Sequence, residues 1–258
     1  MFFTTSDEIS PHTELPTDDA LCRWAARDRT TGRVFARGGA VAVAAPGLSL
    51  RDRLVVTGPA GDAIPLVRDV LAEIGRSYRP FGDRGLIDAL VIAEPELRPT
   101  AGFGWMDRTG SAAVPPDGTA GWLPPDAAPG VTALLDEAFP DSYAYPGRPG
   151  ADDRWAGILP PDGSGTPSAV AALAWCAPSV GLLAGIATAP AARGRGLGRQ
   201  VCAFVLAEAL DTHGTAALVV DDRNTPALRL YRSLGLAYRP LRAASFPPAR
   251  TAPEAPAA

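Results

Sequence analysis

Lysine is missing from the 258-residue chain, so all 24 of its basic side chains are arginines. Without an ε-amine there is no Walker-type phosphate loop, no Schiff-base chemistry and no catalytic lysine. Cysteine is scarce: Cys22, Cys176 and Cys202 are odd in number and follow no spacing that makes a disulfide frame or a zinc site. Three reduced thiols, no metal and a cytoplasmic location are therefore expected. Of the two histidines, His12 lies in a polar N-terminal stretch and His213 at a helix end, where a cation suits the dipole. Apolar runs such as Ala169 to Trp175 and Leu182 to Ala189 fall short of the roughly 18 residues of a membrane span. Met1 to Ser10 has acids and no basic region, unlike a secretory signal. The net charge is −4 and no arginine cluster forms a basic stripe, which argues against a nucleic-acid partner.

Hydrophobic residues make up 47% of the chain and charged residues 20%, enough to bury the core of one large domain or two small ones. In the first half, a possible short helix at Leu21 to Arg29 precedes a hairpin from Val34 to Ala45 around Gly38-Gly39. A strand at Asp52 to Thr57 leads through Gly58-Pro59-Ala60-Gly61 to a helix with apolar residues at Leu66, Val67, Val70, Leu71 and Ile74. A possible strand, a helix at Gly85 to Ala93 and a strand at Phe103 to Met106 follow. The Gly- and Pro-rich belt from Asp107 to Gly130 holds the expected domain boundary, near residue 115.

The second half reads as a helix from Val131 to Phe139, then strands at Trp155 to Leu159, Ser168 to Trp175 and Val180 to Thr188. A helix from about Arg199 to Thr212 carries one apolar stripe and stops at Gly214. A buried strand at Ala216 to Val220 precedes a helix for which Thr225 can serve as N-cap and Gly235 as C′. Leu236 to Pro240 is the closing strand, and the Ala-, Pro- and Arg-rich tail from Ala243 is expected to be disordered.

Chemistry concentrates between Val180 and Tyr238. An apolar strand runs into Arg193-Gly194-Arg195-Gly196-Leu197-Gly198, and a helix opens at once. Backbone N–H groups of such a loop, the unpaired donors of the first helical turn and the dipole together make an anion seat. Arg193, Arg195 and Arg199 add guanidinium forks suited to a diphosphate. The glycines give a G-x-G-x-G spacing, but a dinucleotide fingerprint would need glycine where Arg199 stands. The strand before the loop also follows a tight turn from another strand rather than a crossover helix. Dinucleotide binding is disfavoured.

The arrangement resembles the GCN5-related N-acetyltransferase (GNAT) superfamily. Arg193-x-x-Gly196-x-Gly198 matches its cofactor motif, Ile186-Ala-Thr-x-Pro190 lies upstream as that family's strand end does, and Asn224, Tyr231 and Leu234-Gly235 follow in the family's order. The resemblance implies an α/β (α+β) fold with a mixed, mainly antiparallel sheet flanked by helices. It implies acetyl-CoA, or another acyl-CoA, in a wedge between the fourth and fifth strands of that fold. The backbone of Ile186, Ala187 and Thr188 would pair with the pantetheine arm, and Arg193, Gly194, Arg195, Gly196, Leu197, Gly198 and Arg199 would hold the pyrophosphate. Asn224 would bond the pantetheine amides, an N–H near Ala187 would meet the oxyanion, and Tyr231 would act as general acid. The acceptor would be a small-molecule or peptide amine. The strand Val180 to Thr188 carries no acid, which leaves Asp221, Asp222 or a water chain as candidates for the base.

The rhythm of strand, Gly-rich turn and helix around Gly58-Pro59-Ala60-Gly61 echoes the second half and looks like a degenerate copy of the same fold. It lacks the arginine and the G-x-G spacing, and Pro59 removes a donor. The expected organisation is a loose arm at 1–20, a degenerate GNAT-like domain at 21–115, a catalytic GNAT domain at 116–245 and a disordered tail at 246–258. The rival to an N-acyltransferase is a non-catalytic acyl-CoA-binding or regulatory module. Tyr231 in place favours the enzyme.

Overall fold

The computed structural model describes residues 6–111, 118–148, 153–160 and 165–247. The expected boundary near residue 115 and the tail beyond 247 fall outside these residues. The first half runs β1 (Asp7–Ile9), α1 (Ala20–Ala25), β2 (Arg33–Arg37), β3 (Ala40–Leu48), β4 (Arg51–Thr57), α2 (Ala60–Ile74), β5 (Arg79–Asp83), α3 (Arg84–Ala93), β6 (Arg98–Pro99) and β7 (Phe103–Thr109). The second half runs β8 (Gly121–Trp122), α4 (Ala128–Ala138), β9 (Arg154–Ile158), β10 (Ala169–Leu173), β11 (Gly181–Thr188), α5 (Leu197–His213), β12 (Thr215–Asp221), α6 (Thr225–Ser233) and β13 (Ala237–Ser245).

The strands form one mixed sheet in the order β1-β2-β3-β4-β5-β13-β7-β12-β11-β10-β9-β8, with β6 on the side of β13. Pairing is antiparallel except at β4–β5 and β11–β12. Each parallel pair is bridged by a crossover helix, α2 or α5, because parallel strands cannot be joined by a tight turn. The last strands are exchanged between the halves: β7 completes the sheet beside β12, and β13 completes it beside β5. β7 and β13 then pair with each other at the centre, from Ala237↔Asp107 to Leu241↔Phe103.

Burial divides the molecule into layers. On one face α1 and α4 share a core that runs across both halves, from Trp24 and Phe81 through Trp105 to Leu135 and Leu182. On the other face α2 and α3 cover the first half and α5 and α6 the second. Alternation explains the split: Val55 faces the shared core, while Leu54 and Val56 face α2. Trp24 is 5.6 Å from Trp105, and its indole N–H donates to the Trp175 carbonyl at 2.9 Å. Each fully buried large apolar side chain contributes about 1.5–3 kcal/mol relative to exposure.

Three expectations are corrected. Residues 7–9, read as part of a loose arm, form an edge strand on β2, and Asp19 caps α1 by accepting from the Leu21 and Cys22 N–H groups. Asn224, not Thr225, is the N-cap of α6, its Oδ1 accepting from the Ala227 N–H at 3.2 Å. The closing strand reaches Ser245, because Ala243 and Ala244 are buried against β5 and β6. The three cysteines are free thiols, with Cys22 and Cys202 buried and Cys176 half-buried.

Candidate acyl-CoA site

β11 and β12 are paired only over Gly181↔Ala216, Leu182↔Ala217 and Leu183↔Leu218. Beyond Leu183 the two strands part, and a cleft of about 580 Å³ opens between them. Its walls are the remainder of β11, the Arg193 to Arg199 loop, the end of β12 and the first turns of α6. The separation begins at a bulge, where β10–β11 register shifts between Val170 and Ala172. Gly185 sits in that bulge at φ +57°, and a Cβ there would lie 2.4 Å from Cη2 of Trp155. Only glycine satisfies both the backbone and the packing.

The free edge of β11 is directional. The Ala189 N–H donates to the Ser168 carbonyl across β10 at 2.9 Å. Alternation along the strand turns the Ala187 N–H the same way and the Thr188 N–H and C=O into the cleft. Arg193 confirms this sense, since its Nε–H donates to the Thr188 carbonyl at 3.4 Å. The N–H expected near Ala187 thus belongs to its neighbours on the strand rather than to Ala187.

Gly194 and Gly196 take left-handed conformations, φ +76° and +79°, and Gly196 is the N-cap of α5. A Cβ at either would meet nothing within 4 Å, so these glycines serve the turn of the backbone rather than close approach. Gly198 serves packing: its Cβ would lie 3.0 Å from the Thr188 Oγ1. The first intrahelical bond runs from the Gln200 N–H to the Gly196 carbonyl, and no side chain caps the helix. The Leu197, Gly198 and Arg199 N–H groups therefore point out of the helix end as free donors. Arg193, Arg195 and Arg199 are exposed and form no ion pair with a described carboxylate. Arg193 and Arg199 line the cleft, whereas Arg195 does not.

Tyr231 lines the cleft from α6 and is 7% exposed. Burial, with the nearby Cys202 thiol adding to it, raises its phenol well above the ordinary value, so the hydroxyl stays protonated. Asn224 lies on the rim; capping uses its oxygen and leaves its amide N–H2 free to donate. The two candidate bases do not suit that role. Asp221 lines the cleft, but hydrogen bonds from the Arg223 side chain and N–H hold its pKa down to about 2. Asp222 turns away, accepting from Arg84 and from the Tyr238 hydroxyl. Sequence reasoning missed Phe139, Val219 and Gly185 of the cleft. Phe139 and Val219 are exposed apolar residues, and only the positive φ of Gly185 marks it.

The donor set fits a diphosphate on a pantetheine arm: free N–H groups at a helix end, unpaired guanidinium groups and an open strand edge with both N–H and C=O. No group of three His, Cys, Asp or Glu among the described residues could hold a metal ion. No helix among them is long and apolar enough to cross a membrane.

Residues 133–236 match the sequence profile of the acetyltransferase (GNAT) family. No curated protein matches the chain. Among solved structures, a GCN5-related N-acetyltransferase from Kribbella flavida is similar at a TM-score of 0.60 and 21% identity, over 90% of this chain and 97% of that one. A GCN5-related N-acetyltransferase from Sphaerobacter thermophilus is similar at 0.54 and 16%, over 83% and 79%. A putative GNAT-family acetyltransferase from Novosphingobium aromaticivorans gives 0.50 and 20%, over 81% and 88%. These identities speak for the fold, and the profile for the segment that builds the cleft. The chain therefore carries, in residues 133–236, a domain of the acetyltransferase (GNAT) family, with the site loop, the parted strands and Tyr231 all inside it.

Proposed function

We propose that the protein is an acyl-CoA-dependent N-acyltransferase, acting with acetyl-CoA on a primary amine. The observation that carries this reading is the parting of β11 from β12 after three paired residues, directly above the free donors of α5. The thioester co-substrate supplies an activated acyl carbon and a thiolate leaving group. The free edge of β11 would hold the pantetheine arm, with Asn224 donating from the opposite rim. The N–H groups of Gly194 to Arg199, with Arg193 and Arg199, would hold the diphosphate; Arg195 would act from outside the cleft through its charge.

The amine nitrogen bonds to the thioester carbonyl carbon, the carbon–sulfur bond breaks, and the proton shed by nitrogen ends on sulfur. A backbone N–H of the unpaired part of β11 stabilises the charge gathering on the carbonyl oxygen. Tyr231, kept protonated by burial, hydrogen-bonds the departing sulfur. Its raised pKa makes it a donor of a hydrogen bond in preference to a donor of the proton itself. Among the residues lining the cleft, Asp221 is the one carboxylate, and its low pKa leaves it too weak a base for an ammonium near pKa ~10. The reactive species is therefore the amine already deprotonated in solution or through water.

Coenzyme A release across a panel of amines tests the reading, with Tyr231→Phe beside the wild type. Turnover that falls in the variant supports an enzyme. Binding of acetyl-CoA with no turnover on any amine supports the acyl-CoA-binding module instead.

A further inference from the structure

Because β11 and β12 part within the sheet, the cleft lies between its two faces, and its walls divide by the core that each side chain joins. Ile186, Leu197, Leu230 and Tyr231 pack with the core under α5 and α6, the side of the free donors of α5. Ala138 and Ala184 pack with the core shared by α1 and α4, and Phe139 ends α4 as its C-cap. Alternation along β12 assigns the rest. Ala217 packs into the α1 and α4 core, so Val219 and Asp221 face that side, while Leu218 and Val220 face α5 and α6. The cleft therefore has a second mouth, on the face opposite to the helix that offers the anion seat.

The two faces of β12 differ in what covers them. Leu218 and Val220 are 1% and 6% exposed, whereas Val219 between them is 45% exposed, although it is paired with Trp105 of β7. Phe139 is 41% exposed. Single exposed apolar side chains are ordinary on any surface, but these two line one cleft on one face, beside the small side chains of Ala138 and Ala184. Asp221 is the one charged side chain on that side of the cleft, and its ion-pair partner Arg223 does not line it. The carboxylate decides between two occupants. An acyl chain longer than acetyl would bring its apolar end towards a charge, whereas a primary amine brings a positive charge at neutral pH. An acceptor with a carboxylate of its own would meet Asp221 as a like charge.

We propose that this mouth is the acceptor site, and that the acceptor is a small primary amine on a bulky apolar body with no anionic group of its own. Phe139 and Val219 hold the apolar body, and Asp221 attracts the ammonium and rejects carboxylates. This deepens the acyltransferase reading and rests on it. The amine still sheds its proton through water before it bonds to the thioester carbon, the carbon–sulfur bond breaks and sulfur takes up a proton. Donor and acceptor enter from opposite faces of the sheet and meet where the strands part.

Calorimetric titration of the full chain, with and without coenzyme A, compares three amines: phenethylamine, ethanolamine and phenylalanine. Phenethylamine should bind at least about tenfold tighter than ethanolamine, which lacks the ring, and at least about tenfold tighter than phenylalanine, which adds a carboxylate. The first ratio should fall at least about threefold in Phe139→Ala and in Val219→Thr, and the second by as much in Asp221→Asn. Phe139 and Val219 are both exposed, so neither substitution threatens the fold. Equal binding of the three amines, no binding of phenethylamine, or ratios unchanged in the variants overturns the proposal. So does octanoyl-CoA binding about tenfold tighter than acetyl-CoA in the wild type but not in Phe139→Ala, because the mouth then belongs to the acyl chain. Coenzyme A release with phenethylamine reports on the acyltransferase reading alone. The expected amine ratios without release would remove the enzyme and leave the amine site standing.

Discussion

Arg84, the first residue of α3, is ion-paired to Asp222, the residue directly after the cleft-lining Asp221. The other oxygen of Asp222 accepts from the Tyr238 hydroxyl at 2.5 Å. This latch joins the first half to the turn that carries Asn224. It closes over Gly102 and Gly104, where added Cβ atoms would lie 2.7 Å from Asp222 Oδ2 and 2.1 Å from Tyr238 Cε2. Arg84→Ala leaves a half-buried carboxylate with one partner and is expected to cost about 1–2 kcal/mol in stability. It should also weaken acetyl-CoA binding, because the turn before α6 loses its anchor. Urea unfolding and calorimetry on the same variant check both parts.

Tyr231→Phe removes one hydrogen-bond donor to the departing sulfur and leaves the buried ring in place. We expect kcat to fall about 10²-fold with little change in acetyl-CoA affinity, since the hydroxyl matters as charge develops. Steady-state kinetics with a saturating amine measures it.

With no competent base lining the cleft, the rate must follow the fraction of free amine. For an acceptor of pKa near ~10, log(kcat/KM) should climb with a slope near one from about pH 6.5 to 9. A plateau reached near pH 7 would point to a base other than Asp221 acting in the cleft.

The glycines of the site separate by mechanism. Gly185→Ala meets the Trp155 ring and should disrupt the bulge, abolishing acetyl-CoA binding and lowering stability. Gly196→Ala meets no atom but must hold a left-handed backbone, at a cost of about 1–2 kcal/mol. It should weaken binding roughly tenfold. Affinity measured on the two variants, with their melting temperatures, distinguishes clash from conformation.

Asp19 caps α1 and pairs with Arg239, the two oxygens accepting at 2.6 and 3.1 Å. Burial works against its charge, but Arg239 and the Leu21 and Cys22 N–H groups outweigh it, so its pKa is lowered. A lowered carboxylate stabilises the fold above its unfolded value near ~3.9, and that contribution is lost as pH falls through the folded value. Asp19→Asn keeps a cap and loses the ion pair, so it should lower the melting temperature at pH 7 and narrow the gap to wild type below about pH 4.

Much of the second half was legible in the sequence because local chemistry decided it. The Arg193 to Gly198 loop, the stripe of α5 and the Gly214 stop all depend on residues within one turn of each other. Asn224 and Thr225 are neighbours with similar capping ability, and only the geometry of the turn chose between them. The exchange of β7 and β13 was not legible, since either strand could pair with either half by its own pattern. Likewise the facing of Arg53 and Arg79 escapes a linear reading, because the β4–β5 register alone brings them together.

That register also bears on the degenerate half. β4 and β5 are paired from Arg53↔Arg79 to Val56↔Gly82, one residue short of the end of β4, and a Cβ at Gly82 would lie 2.4 Å from the Val56 carbonyl. Where β11 and β12 part, β4 and β5 stay closed, and α2 opens on Pro59 with no side-chain cap. Calorimetric titration of the full chain with acetyl-CoA therefore decides whether the second half alone holds an acyl-CoA cleft. One equivalent per chain, lost in Gly185→Ala, is the expected result; two equivalents, or none, would overturn that assignment.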